Sequence, residues 1–140
     1  MGTLVKIALV IIISFLPLKN NAQKTFNLTV NVEDVDNNNG QILIALYDKE
    51  SDFLENTYKG IVSKIKNNAC QVTFENIPKG IYAVSLFHDE NSNNKLDSNF
   101  IGIPKEDYAC SNNAKGFMGP PKWEDAKFKL ESDTLITITF

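Results

Sequence analysis

Residues 88–97 read HDENSNNKLD and hold the chain's single histidine among three acids and three asparagines. Oxygen-bearing side chains recur at alternate positions: Asp89, Asn91, Asn93 and, further on, Asp97. A loop curling round a hard cation presents oxygens in this way. Side chains serve at positions 1, 3 and 5, a backbone carbonyl at position 7, and a further ligand at position 9. Asp89, Asn91 and Asn93 take the first three places, Lys95 supplies the carbonyl, and Asp97 stands ninth. The sixth place needs positive φ, and Asn94 is the most tolerant residue there after glycine. The cation implied is calcium. The twelfth place, a bidentate glutamate in an EF-hand, is Phe100, and the apolar run IYAVSLF precedes the loop where an EF-hand has a helix. This is therefore not an EF-hand, and Asp97 or a distant acid such as Glu106 has to close the shell. Two carboxylates and two amides carry little charge, which points to weak affinity, roughly 10⁻⁴–10⁻³ M as in extracellular modules. The competing account needs no metal: Asx side chains hold backbone N–H groups in polar turns, and asparagine is abundant throughout the chain.

His88 beside Asp89 and Glu90 also suggests acid–base chemistry. Neighbours in a strand face opposite ways, so Asp89 does not orient His88. On the parity of Tyr82, Val84 and Leu86, the ring is expected to pack at a strand end and hydrogen-bond the loop. A hydrolase using His88 with acids of the loop is the weakest reading. The chain shows no nucleophile elbow, zinc cluster, phosphate-binding glycine loop or cofactor fingerprint.

The elements that must position this loop read as strands. Phe26, Leu28, Val30 and Val32 alternate with Asn27, Thr29 and Asn31, a half-buried strand. DNNNG (36–40) is a turn whose Asn39–Gly40 pair suits positive φ. QILIALYD (41–48) is apolar on both faces and predicts a central strand. IVSKIK (61–66) and CQVTFENI (70–77) are expected to pair around Asn67–Asn68. Pro78–Lys79–Gly80 turns the chain into IYAVSLFH (81–88), and KFKLES and TLITITF add two more strands. KESDFLENTY (49–58) predicts a turn or two of helix capped by Ser51, and 98–125 is a long irregular stretch, a length usually functional or self-packed. The fold class is all-β: a single antiparallel β-sandwich of about seven strands.

Lys6 and the apolar run IALVIIISFL (7–16), ended by Pro17, predict a signal peptide over 1–22, with Ala22 before the cleavage point. Ten apolar residues fall short of the ~20 a membrane span needs, and no cysteine for a lipid anchor precedes Cys70. The expected product is an exported domain, residues 23–140, periplasmic or extracellular, with no stable membrane insertion. Without Lys6 and Lys19, twelve lysines face 17 acids, a net charge of −5. That sign argues against nucleic acid or an anionic membrane as partners, since both need basic patches, and the absence of arginine argues against bidentate phosphate clamping. Cys70 and Cys110 lack CxxC spacing; they either form a disulfide or stand as two buried thiols.

The stretches LTVNVEDVDNNNGQILIALYD and FENIPKGIYAVSLFHDENSNNKLDSNFIGIPKEDYACSNNAKGFMGPPKWEDAKF resemble the bacterial DUF2141 family of exported proteins over nearly all of 26–140. The most specific portions are P-x-G-x-Y-A-x-x-x-x-H-D-x-N and G-I-P-K-E…S-N-N-A-x-G…G-P-P. The resemblance implies a small extracytoplasmic domain with an immunoglobulin- or transthyretin-like sandwich. It brings no catalytic residues and an unknown function. Asn94 stands where the family usually has glycine, and Cys110 where an aromatic is common. In GIPKEDY and SNNAKGFMGPPKW, glycines and prolines together describe an ordered loop. That loop either covers a sheet end or forms a ligand surface of His88, Lys105, Glu106, Ser111, Asn112 and Asn113 beside the calcium-type loop. The reading is a binding or accessory module for a small molecule, glycan or protein. The alternative is a metal-free interaction domain at the cell surface.

Overall fold

The computed structural model describes residues 22–140; the expected signal peptide, apart from Ala22, lies outside them. Eight strands carry the fold: β1 (Thr25–Glu33), β2 (Gln41–Tyr47), β3 (Lys59–Lys64), β4 (Cys70–Pro78), β5 (Gly80–Asp89), β6 (Tyr108–Cys110), β7 (Phe128–Leu130) and β8 (Thr134–Thr139). One helical turn, α1 (Trp123–Ala126), precedes β7. They form a β-sandwich. A three-stranded sheet runs β4-β1-β8, and a five-stranded sheet runs β3-β2-β5-β6, with β7 also paired to β5.

The alternation seen in the sequence becomes the interface between the sheets. Leu28, Val30 and Val32 of β1 are fully buried, opposite Ile42, Ile44 and Leu46 of β2 and Val84 and Leu86 of β5. Burying each such side chain contributes about 1.5–3 kcal/mol, so this layer dominates the stability. β2 is apolar on both faces because both are covered: Ile42, Ile44 and Leu46 join the core between the sheets, while Ala45 and Tyr47 join a second apolar cluster. All ladders are antiparallel except β1–β8, which runs parallel from Leu28↔Thr134 to Glu33↔Thr139.

Three local expectations are corrected. IVSKIK and CQVTFENI do not form a two-stranded ladder. They meet only at the Lys66↔Ala69 bridge, where Asn67 and Asn68 take left-handed φ of 53° and 58°, and then diverge: β3 pairs with β2 in one sheet and β4 with β1 in the other. The 49–58 segment holds a single 3₁₀ turn, Glu50–Asp52, whose N-cap is Lys49, so Ser51 lies within it and caps nothing. The irregular stretch also contains strand β6, whose three residues were too short to show a period.

That stretch covers the outer face of the five-stranded sheet. Trp123 and Ala126 of α1 pack with Tyr47, Ala83 and Cys110 in a second apolar cluster. Phe53 stacks edge-on between Tyr47 and Trp123, with ring centroids at 5.3 and 5.7 Å. A sheet covered on both sides is a rigid platform, and β5, its innermost strand, ends at Asp89.

Candidate functional site

The loop begins where β5 stops. Asp89 is fully buried, yet its carboxylate is well served: Oδ1 accepts from the backbone N–H of Asn93 (3.1 Å), and Oδ2 from that of Asn94 (2.8 Å) and from Gln41 Nε2 (2.9 Å). A buried charge is tolerable when donors of this kind replace its water. The odd-numbered positions repeat the device. Asn91 Oδ1 accepts from the Asn93 N–H at 3.3 Å, and Asn93 Oδ1 from the Lys95 N–H at 2.9 Å. The even positions turn the chain, with Ser92 at φ 56° and Asn94 at φ 61°. Alternate Asx residues therefore wind the backbone one N–H at a time, and Asn94 takes the left-handed conformation its place in the pattern demands.

Asp97 gathers the remaining amide hydrogens. Its carboxylate accepts from Asn91 Nδ2 at 2.8 Å and from Asn93 Nδ2 at 2.9 and 3.1 Å. The Asn93 amide, then the Asn91 amide, hold the Asp97 carboxyl below its ordinary range; partial burial opposes them and Lys105 adds to them. Glu106, far along the chain, then closes the loop. Its Oε1 accepts from the Glu90 N–H (3.2 Å) and its Oε2 from the Asp97 N–H (3.0 Å). Among the described residues, no three acid, histidine or cysteine side chains are already grouped as a metal site.

Between Asp97 and Glu106 the chain makes a small arm. Lys105 N–H donates to the Asp97 carbonyl at 2.7 Å and Ser98 bridges Pro104. Asn99 fixes the turn: its Oδ1 accepts from the N–H of Ile101 and of Ile103, both at 3.0 Å, and its own N–H donates to the Ile103 carbonyl. Lys105 and Glu106 continue into one wall of a cleft of about 320 Å³, faced by Lys115, Gly116 and Pro121.

The other residues singled out in the sequence take structural posts. His88 is 1% exposed and points between the sheets; its Nε2–H donates to the Asn39 carbonyl at 2.7 Å, holding the 36–40 turn, and Nδ1 has no partner. Neither ring nitrogen reaches the surface of the loop. Ser111 is buried, so it is no part of a ligand surface: its hydroxyl donates to the Ala126 carbonyl at 2.6 Å and accepts from the Val84 N–H at 2.9 Å, tying α1 to β5. Asn112 donates to the carbonyls of Asp125 and Lys127, and Asn113 Oδ1 accepts from the Thr139 N–H. The S-N-N motif is a clamp on the end of the sandwich. Cys70 and Cys110 are free and buried, one in each apolar cluster. Burial pushes the Cys110 thiol up to about 11, against a small opposing pull from Lys115.

Two residues of the site were not marked by sequence reasoning. Gln41 links Asp89 to Asn94, donating to both side chains from one amide. Its only signal was adjacency to Gly40, whose φ of 69° seats the chain against the Asp89 carbonyl. Asn99 looked like one more asparagine in a polar run.

Neither curated proteins nor solved structures match the chain. The family described as an uncharacterized protein conserved in bacteria (DUF2141) matches residues 30–138. This match takes in the second half of β1 from Val30, β2 to β7, the 88–97 loop with Glu106, and most of β8, and on it the chain belongs to the DUF2141 family.

Proposed function

We propose that this chain is an exported binding or accessory module in which the 89–97 loop, closed by Glu106, takes calcium and so fixes the long loops at one end of the sandwich. The observation that carries this reading is that Glu106 is held at the loop, its Oε2 accepting from the Asp97 N–H at 3.0 Å and its Oε1 from the Glu90 N–H at 3.2 Å, which brings a further carboxylate to it. The residues present fit a weak site. Asp89, Asn91, Asn93, the Lys95 carbonyl, Asp97 and Glu106 offer the oxygen donors that calcium prefers, and the left-handed Asn94 supports the winding. Binding requires the Asn91 and Asn93 amides, now donating to Asp97, to turn their oxygens inward. That rearrangement accords with an affinity of roughly 10⁻⁴–10⁻³ M.

Titrating calcium by calorimetry into chelator-stripped protein tests the proposal. At about 10 mM calcium, ten- to hundredfold above such a dissociation constant, the stabilisation is about 1.4–2.7 kcal/mol, a melting shift of roughly 5–10 °C. D97N and E106Q are expected to abolish both heat and shift. No heat and no shift in the wild type at millimolar calcium would refute the site.

A second reading is a metal-free interaction domain. It is favoured by the fact that Asp89, Asn91 and Asn93 each already accept a backbone N–H. Under it, replacing Asp89 and Asp97 leaves partner docking intact once the fold is verified.

A further inference from the structure

The four most exposed large apolar side chains among the described residues stand on two turns beside the cleft. Phe100 is 98% exposed and Ile101 64%, at the tip of the arm that Asn99 braces. Phe117 and Met118 are 92% and 94% exposed, on the turn between Gly116 and Gly119. This second turn is also tight. A Cβ at Gly116 would lie 1.7 Å from the Gly119 carbonyl, and Met118 itself sits at φ 54°. Both turns border one cleft, since Pro104 and Lys105 lie on one wall and Lys115 and Gly116 on the other. Soluble domains scatter single apolar side chains over their surface, but whole aromatic rings raised on braced turns mark an interaction site.

We infer that these two turns dock the module on a lipid surface, inserting Phe100, Ile101, Phe117 and Met118 among the headgroups while Lys105 and Lys115 meet lipid phosphate. Two observations favour lipid over a protein partner. At 92–98% exposure the side chains of Phe100, Phe117 and Met118 project into water instead of lying in a groove; a bilayer interface accommodates such projections, whereas a protein would need a matching pocket for each. The charges also suit phosphate. Lys105 and Lys115 are exposed and make no ion pair among the described residues, while Glu106 is turned to the backbone N–H groups of Glu90 and Asp97. Asp107 in the lining and the Asp97 carboxylate, which lies within electrostatic reach of Lys105, are the opposing charges. The overall acidity of the chain does not decide the matter, because charges more than about 8–10 Å from the membrane are screened at physiological ionic strength. Docking rests on this end of the sandwich being a binding surface and not on calcium, so either can fail without the other.

The test uses the full chain with vesicles of phosphatidylethanolamine and phosphatidylglycerol whose acyl chains carry bromine. In F117W the added indole is expected to shift to the blue and to be quenched. Trp123, packed in the second cluster, is expected to show no quenching in the wild type, which keeps the signal local to the tip. Adding F100S to F117W is expected to weaken the quenching response about tenfold, since burying one Phe is worth at least that factor. K105E with K115E in F117W is expected to weaken it by a similar factor. A folded F117W whose indole stays unquenched would overturn the proposal, as would dimerisation in solution that buries the tips.

Discussion

Replacing Asp89 with alanine tests whether the loop is wound by its side-chain oxygens. The carboxylate accepts three N–H groups within 3.1 Å. Bonds to a charged acceptor are each worth about 1.5–3 kcal/mol, but the three do not all survive as losses. Asn93 and Asn94 are exposed, so their freed N–H groups regain water and each costs about 0.5–1 kcal/mol. Gln41 keeps its second acceptor, Asn94 Oδ1, at 2.8 Å, which limits its share to about 0.5 kcal/mol. Relief from burying the carboxylate offsets a little of this, and the lost packing adds a little. The net expectation for D89A is about 1.5–2.5 kcal/mol. With a urea slope of about 1.5 kcal/mol/M for a domain of this size, the unfolding midpoint falls by about 1–1.7 M. Q41A removes one donor and is expected to cost about 0.5–1 kcal/mol. Because the two side chains touch, the double variant is expected to cost less than the sum, by about 0.5 kcal/mol. Urea denaturation followed by near-ultraviolet circular dichroism measures all three. A loss below about 0.5 kcal/mol for D89A, or strict additivity with Q41A, would refute the argument.

Other expectations follow from single contacts. Gly40→Ala places a Cβ 2.0 Å from the Asp89 carbonyl oxygen at φ 69°, so the β1–β2 turn must move; a loss of about 3 kcal/mol or more is expected in a thermal melt, and a near-neutral result would show that the turn has slack. The Asp97 carboxyl lies below its ordinary value of 3.8 when folded. The stability it adds is therefore complete above that value and lost as the pH falls through the lower folded one. The gap between wild type and D97N in urea midpoint is expected to hold from pH 7 to about pH 5 and to close towards about pH 2; a gap unchanged at the acid end would contradict the Asn91 and Asn93 assignments. Cys70 and Cys110 are buried, both with raised thiols, so a thiol reagent at neutral pH is expected to label neither in the native state and both in denaturant. Rapid labelling of native protein would contradict the packing of the two clusters.

Much of the fold was legible without coordinates, for a definite reason. Side-chain alternation has a period of two in any strand, so Leu28, Val30 and Val32, or Tyr82, Val84 and Leu86, declare an inward face wherever their neighbours lie. The two-faced apolarity of QILIALY likewise marked a strand with partners on both sides. The oxygen pattern of Asp89, Asn91, Asn93 and Asp97 described a wound loop because the first three act on backbone only two to five residues away and Asp97 on side-chain amides four and six residues back. Information of that range is local, and the chain carries it openly.

Partner choice is not local. Nothing in IVSKIK or CQVTFENI says that Asn67–Asn68 joins two different sheets, because a two-residue left-handed turn looks the same whether its strands pair or part. The parallel β1–β8 ladder joins the two ends of the domain, and alternation says nothing of direction. Ser111, Asn112 and Asn113 read as candidates for a ligand surface until the tertiary structure aimed them at the backbone of Val84, Asp125, Ala126, Lys127 and Thr139. Gln41 entered the site only because β2 and β5 pair in the register that sets it opposite Asp89. The sequence by itself determined which of the longer stretches are strands, which face of each is apolar, and that a loop of alternating oxygens follows β5; the three-residue β6 escaped it. Tertiary structure decided what that loop touches, since hydrogen bonds across 9 to 53 residues depend on where two sheets place their ends.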